Sequence, residues 1–107
     1  ALGRAAEAAD AFEAAARALA APARLEAAYS AAYLRHHDLK DHARALADLA
    51  GTDDPGSLFE ERALVLRVDV LMALDRKHEA AAIAGRYLDR FPKGTSAKLM
   101  RALITPK

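Results

Sequence analysis

The sequence predicts an all-α fold of about six helices, paired as antiparallel hairpins. Three observations predict it. Alanine, the strongest helix former, accounts for 21 of the first 50 residues. Apolar residues recur at intervals of three and four, as on one face of an α-helix. Glycine, proline and short polar segments interrupt that pattern repeatedly. With 107 residues, the chain fits a single domain.

The predicted helices lie near residues 3–20, 23–36, 39–50, 57–74, 77–90 and 95–104. The first has an apolar stripe consisting of Ala8, Phe12, Ala15 and Leu19. Pro22 suits the first turn of the second helix, where its missing N–H is no loss. Tyr29 and Tyr33 lie one turn apart on that helix, and we expect them in the core rather than stacked on a ligand.

Capping residues mark where the third and fourth helices begin. Asp38 is expected to cap a helix that starts at Leu39, with Asp41 adding negative charge to its first turn. The segment 51–56 is the clearest loop, and Ser57 to Glu60 matches a capping box.

Residues 64–71 are rich in β-branched side chains, which also favours a strand. We predict helix, because the apolar pattern runs from Leu58 to Leu74, which is too long for an ordinary strand. The break at 92–94 separates the last two helices.

Composition excludes several classes of function. The chain has no cysteine, which rules out disulfides and thiolate chemistry, and no apolar run of about 18 residues that would predict a transmembrane segment. The net charge is +1, so no nucleic-acid partner is expected. From Arg86 onward there are six basic residues and one acid, Asp89. A solvent-exposed terminal helix accounts for this excess of basic residues. The alternative is that the basic C-terminal end binds an anionic ligand.

The densest set of candidate ligands comprises His36, His37, Asp38, Asp41 and His42. These residues lie at a predicted turn, where polar side chains are expected, and a structural zinc site needs four placed ligands. We therefore predict no metal and no cofactor. Nothing resembles a nucleophile motif, a phosphate-binding loop or a converging acid–base pair, so we expect no catalytic residues and no enzyme activity.

Three segments of the chain align with one another. They begin at Leu2, His36 and Leu74, with offsets of 34 and 38 residues. The first resembles the turn and second helix of the tetratricopeptide repeat, on Leu2, Gly3, Arg4, Glu7, Ala8, Phe12 and Ala15. In the third, Asp75 stands where the repeat has its turn glycine, and the preceding helix carries Arg67 where none is typical.

This resemblance implies that the hairpins form an α-α superhelix, a right-handed array. Its concave face would be lined by the first helix of each repeat and would bind a peptide or partner protein. By the phase of the repeat, the residues implied are Arg24, Ala27, Ala31, Arg35, Arg62, Val65, Asp69 and Met72. The arginines would hold carboxylates in a fork geometry.

The resemblance also implies that the chain begins inside a repeat, as a fragment of a longer protein. The stripe of the first helix would then lack a partner and would pack on a second copy or on another part of that protein. A structural or oligomerisation segment of a larger bacterial envelope or regulatory protein is thus an alternative to a peptide-binding module. Residues 87–94 are similar to repeat ends of bacterial cell-envelope members, which favours the periplasm or cell envelope over the cytoplasm.

Overall fold

The protein consists of helices that pack in chain order. The computed structural model describes residues 2–18, 23–50, 52, 56 and 59–104. Its helices are α1 (Leu2–Ala18), α2 (Ala23–His37), α3 (His42–Leu49), α4 (Glu60–Ala73), α5 (Lys77–Arg90) and α6 (Ala97–Ile104). Each packs against the next, α2 also touches α4, and the described residues include no strand. The predicted all-α array of helical hairpins is confirmed.

Helix α4 forms the centre of the fold because it is buried on two sides. Leu64, Val68 and Leu71 join a cluster with α5 and α6, around the buried Tyr87. Ala63, Leu66 and Val70 of the same helix join a second cluster; its other buried members are Ala32, Ala45 and Leu49 of α2 and α3. The β-branched residues therefore serve a helix with neighbours on both sides, as predicted.

The N-terminal helices pack through small side chains. Ala9 of α1 and Ala31 of α2 are fully buried, and Ala28 is nearly so. A buried methyl group contributes about 0.8 kcal/mol, against about 1.5–3 kcal/mol for a buried Leu or Val. Apolar burial thus stabilises this end less than it stabilises the region around α4.

The turn between α2 and α3 corrects the predicted start of the third helix. The N–H groups of Asp38 and Leu39 both donate to the Leu34 carbonyl, and the chain then reverses through Lys40 in the left-handed region (φ 55°). A helix cannot resume until that reversal is complete. The N-cap is therefore Asp41, whose carboxylate accepts from the Arg44 N–H at 3.3 Å, and not Asp38.

The turn after α4 is a Schellman motif. The Arg76 N–H donates to the Leu71 carbonyl at 2.9 Å, and the Asp75 N–H donates to the Met72 carbonyl at 3.0 Å. Asp75 adopts φ 59°, the conformation that glycine takes most easily. An aspartate therefore occupies the position at which a Schellman motif usually has glycine.

Two side chains of α4 join it to other elements. Arg67 donates to the Leu49 carbonyl at the end of α3, and the Thr52 hydroxyl donates to the same oxygen at 2.7 Å. A cation at this position also complements the helix dipole of α3. Ser57 of the predicted capping box lies outside the described residues, as does Pro22. The Glu60 carboxylate accepts from the Gly56 N–H at 2.7 Å, which closes the start of α4.

Helix α6 begins two residues later than predicted, since residues 94–96 form a turn before Ala97. Among the helices described, none combines the length and the apolarity that crossing a bilayer requires.

Candidate functional site

Three residues predicted on the concave face are buried. Ala27 is 6% exposed, and Ala31 and Arg35 are at most 1% exposed, so no ligand reaches them. The error is one of helical phase. The small residues of α2 face the neighbouring helices, where close approach is needed. Of the two bulky residues, Tyr29 is half-buried against the cluster around Ala32, whereas Tyr33 is exposed.

Arg24 is exposed but lies on another side of the molecule. It lines a shallow depression with Ala16, Arg17 and Asp48, between α1, α2 and α3. Nine residues separate it from Tyr33, which is two and a half helical turns, so the two side chains leave α2 in opposite directions. The predicted position of Arg24 on the concave face is therefore wrong.

A groove runs between α2 and α4 and ends at the start of α6. Its cavity is about 340 Å³. We call it the α2–α4 groove and define it by Tyr29, Tyr33, His37, Arg62, Val65, Asp69, Thr95 and Ser96. The α4 residues Arg62, Val65 and Asp69 are three of the four predicted on that helix. The fourth, Met72, is 38% exposed one turn beyond Asp69.

Aromatic rings form one wall of this groove. Tyr29 lies 5.9 Å from Phe59 and 6.2 Å from Tyr33, and Tyr33 lies 4.3 Å from His37, measured between ring centroids. Burial raises the pKa of Tyr29, whereas Tyr33 is 45% exposed. The expectation that both tyrosines belong to the core is thus wrong for Tyr33, which faces solvent.

The predicted apolar stripe of the first helix reaches the same surface. Phe12 is 38% exposed, Ala8 and Ala15 are half-buried, and Leu19 lies outside the described residues. Phe12 borders a second cavity of about 440 Å³, lined also by Tyr29, Ser30, Tyr33, Leu34 and Arg62. Two surfaces that the sequence suggested separately are therefore adjacent, and they share two tyrosines and an arginine.

Arg62 and Asp69 supply charge to the groove. Both are exposed, and Arg62 makes no ion pair or hydrogen bond within the part of the chain that the structure describes. Desolvation by the surrounding groups raises the pKa of Asp69, and the nearby His37 acts in the opposite direction. Among the described residues, neither Arg62 nor Asp69 has a hydrogen bond or an ion pair, so the groove offers a cation and an acid to a ligand.

The floor near α6 is fixed by Tyr87. Its hydroxyl donates to Glu61 at 2.6 Å and accepts from the Ser96 N–H at 3.1 Å. Gly94 passes so close that a Cβ there would collide with this hydroxyl and lie 2.8 Å from the Glu61 carboxylate. This contact holds the segment that carries Thr95 and Ser96 against the groove, and the sequence offered no signal for it.

Arg35 joins three helices on the side of α2 away from the groove. Its guanidinium donates to Asp48 of α3 at 2.7 Å, and to Glu13 and Asp10 of α1 at 2.9 Å each. Burial alone would lower the pKa of Arg35, but the bonds to Asp48 and Glu13 outweigh it and the pKa is raised. The Arg35 bond likewise lowers the pKa of Glu13.

The histidines at the α2–α3 turn form a hydrogen-bonded pair. The Nδ1 atoms of His36 and His42 are 2.8 Å apart, so one proton lies between them. Burial lowers the pKa of His36, as do the charges of His37 and His42. No cluster of three or more metal-ligating side chains occurs among the described residues.

The basic C-terminal end is partly neutralised within the fold. Arg90 donates to Glu60 at 2.6 and 3.0 Å, and Arg101 donates to the Pro92 carbonyl at 2.7 Å. These two arginines are therefore already engaged.

Comparisons of the chain with protein-family models, with curated proteins and with solved structures found no match.

Proposed function

We propose that this chain is a non-catalytic protein-interaction module of the tetratricopeptide type that binds a peptide or partner protein in the α2–α4 groove. One observation carries the proposal: exposed aromatic side chains share a surface with Arg62, which forms no hydrogen bond or ion pair with any described residue. Tyrosine and arginine dominate the energetics of protein interfaces, because they combine large contact area with directed hydrogen bonds.

The pattern of exposure supports the same function. Phe12 and Tyr33 keep 38% and 45% of their surface exposed, although the fold offers buried sites for aromatic rings, such as that of Tyr87. A contiguous apolar patch with a charged rim is typical of an interaction site. The groove carboxylate of Glu61 already accepts a hydrogen bond from the Tyr87 hydroxyl, so it is engaged in the fold, which supports a non-catalytic role.

A selection from a randomised peptide library on the immobilised protein tests this proposal. Binders are then measured by fluorescence anisotropy against Tyr33→Ala and Arg62→Glu, with Arg24→Glu as the matched control. We expect each groove substitution to weaken binding about tenfold or more, as for interface hot spots. The control should bind like the wild type, because Arg24 lies on the other side of α2. Binders that ignore both groove substitutions would refute the proposal.

Self-association is a second candidate function, favoured by the exposure of Phe12. If two copies pair through α1, sedimentation should show a dimer that Phe12→Asp converts to a monomer with unchanged helical content. A wild-type monomer at the highest soluble concentration would exclude this candidate and leave the peptide-binding proposal intact.

A further inference from the structure

We propose that the groove selects a segment with a carboxylate beside a large apolar side chain and a cation about 10 Å further along. This inference rests on the proposed function and names the chemistry of its ligand. It follows from an apolar cavity that borders the groove, followed by an arginine and then an acid. Neither charged side chain has a hydrogen bond or an ion pair with a described residue.

The apolar end is the cavity beside α1. Phe12, Tyr29, Tyr33 and Leu34 supply most of its lining, and its volume of about 440 Å³ accommodates a large side chain. Burying such a side chain there contributes about 1.5–3 kcal/mol, which makes it the anchor of the ligand.

Arg62 stands at the boundary between the two cavities, since it lines both. Its guanidinium presents several donors in a planar fork that matches a carboxylate. Because no described residue occupies those donors, a carboxylate next to the anchor would meet an arginine that gives up no existing bond.

Asp69 places a negative charge at the other end of the groove. It lies seven residues after Arg62 on the same face of α4, which at 1.5 Å per residue is about 10 Å. Glu61 also lines the groove, but it lies beside Arg62 and its carboxylate accepts from the Tyr87 hydroxyl. Asp69 is therefore the acid at the far end, where desolvation raises its pKa. A cation would relieve the cost of that desolvation, whereas a second acid would increase it.

Two labelled peptides of identical composition test this charge order by fluorescence anisotropy. The first carries Phe-Glu followed by Lys three residues after the Glu, about 10 Å in an extended chain; the second exchanges Glu and Lys. We expect the wild type to bind the first about tenfold more tightly than the second. If the second peptide binds in the reverse direction to satisfy both charges, its Phe leaves the apolar cavity.

The double variant Arg62→Glu/Asp69→Lys should reverse this preference, so that the second peptide binds more tightly. The matched control Arg24→Glu/Asp89→Lys makes the same changes of charge away from the groove and should keep the wild-type preference. Circular dichroism of both variants verifies that they are folded.

Equal affinity of the wild type for both peptides would overturn the charge order. So would a failure to bind either at about 1 mM, the weak end of specific association. In both cases the proposed function stands if the library yields binders that depend on Tyr33. If the library yields no groove-dependent binder, the proposed function itself fails. A preference for the first peptide that the double variant does not reverse also overturns the charge order.

Discussion

Arg35 is the largest fully buried side chain of the described residues, and replacing it tests how the N-terminal helices are held together. Arg35→Met keeps a similar length but removes the charge. Asp48 is 4% exposed and would become an uncompensated buried carboxylate, which costs about 3–5 kcal/mol. Glu13 and Asp10 are 28% and 66% exposed, so losing their pairs adds less than about 1 kcal/mol each.

A domain of this size has a free energy of unfolding of about 5–15 kcal/mol, so Arg35→Met removes a large part of it. We expect a loss of about 4 kcal/mol and a melting temperature lower by roughly 18 °C. Urea denaturation followed by circular dichroism at 222 nm measures it, with the exposed Arg24→Met as the control. Because the cost lies in the stranded carboxylate, the double variant Arg35→Met/Asp48→Leu should recover most of the loss. A loss below about 1 kcal/mol for Arg35→Met alone would refute this reasoning.

Three further predictions concern the turns and the acidic groups. Asp75→Gly should raise the free energy of unfolding by about 0.5–1 kcal/mol, because glycine adopts the left-handed backbone conformation without steric strain. Asp75→Val should lower the free energy of unfolding by a similar amount or more. Urea melts of the two variants measure both changes, and the opposite order of stability would contradict the turn geometry. Gly94→Ala should cost about 1–3 kcal/mol, since the new Cβ collides with the hydroxyl of Tyr87, and Gly94→Ala in a Tyr87→Phe background should cost less. Glu13 and Glu60 have pKa values below the usual 4.5, through Arg35 and Arg90 respectively, so their contribution is complete above pH 4.5 and is lost as the pH falls through the lowered values. Melts from pH 7 to pH 2 should show Glu60→Gln to be less sensitive to acid than the wild type over that window, and equal slopes would contradict this.

The helices were predictable from the sequence because alanine content and apolar spacing are local signals. It was harder to predict which face of each helix is buried and which is exposed. On α2, Ala27 and Ala31 share a period with Arg35, and the same period can describe a buried or an exposed stripe. This stripe is buried because Arg35 pairs with Asp48 and Glu13, which lie 13 and 22 residues away in the sequence. The apolar spacing of a single helix carries no information about such long-range pairs. On α4, by contrast, Arg62, Val65 and Asp69 do line the α2–α4 groove.

The ion cluster and the groove lie on different sides of α2, yet the first supports the second. Phe12 borders the apolar cavity only because α1 stays docked on α2, and α1 contributes few large apolar contacts to that docking. Glu13 follows Phe12 directly and accepts a hydrogen bond from Arg35. Adjacent residues of α1 thus supply an ion pair to α2 and part of the wall of the apolar cavity. A buried arginine among alanines is a costly way to gain stability, since burying its charge offsets much of the attraction. It does fix the rotation of α1, because a hydrogen-bonded guanidinium accepts few orientations and a layer of methyl groups accepts many. The Arg35 cluster therefore sets the direction in which Phe12 points, a geometry that alanine packing alone would leave unspecified.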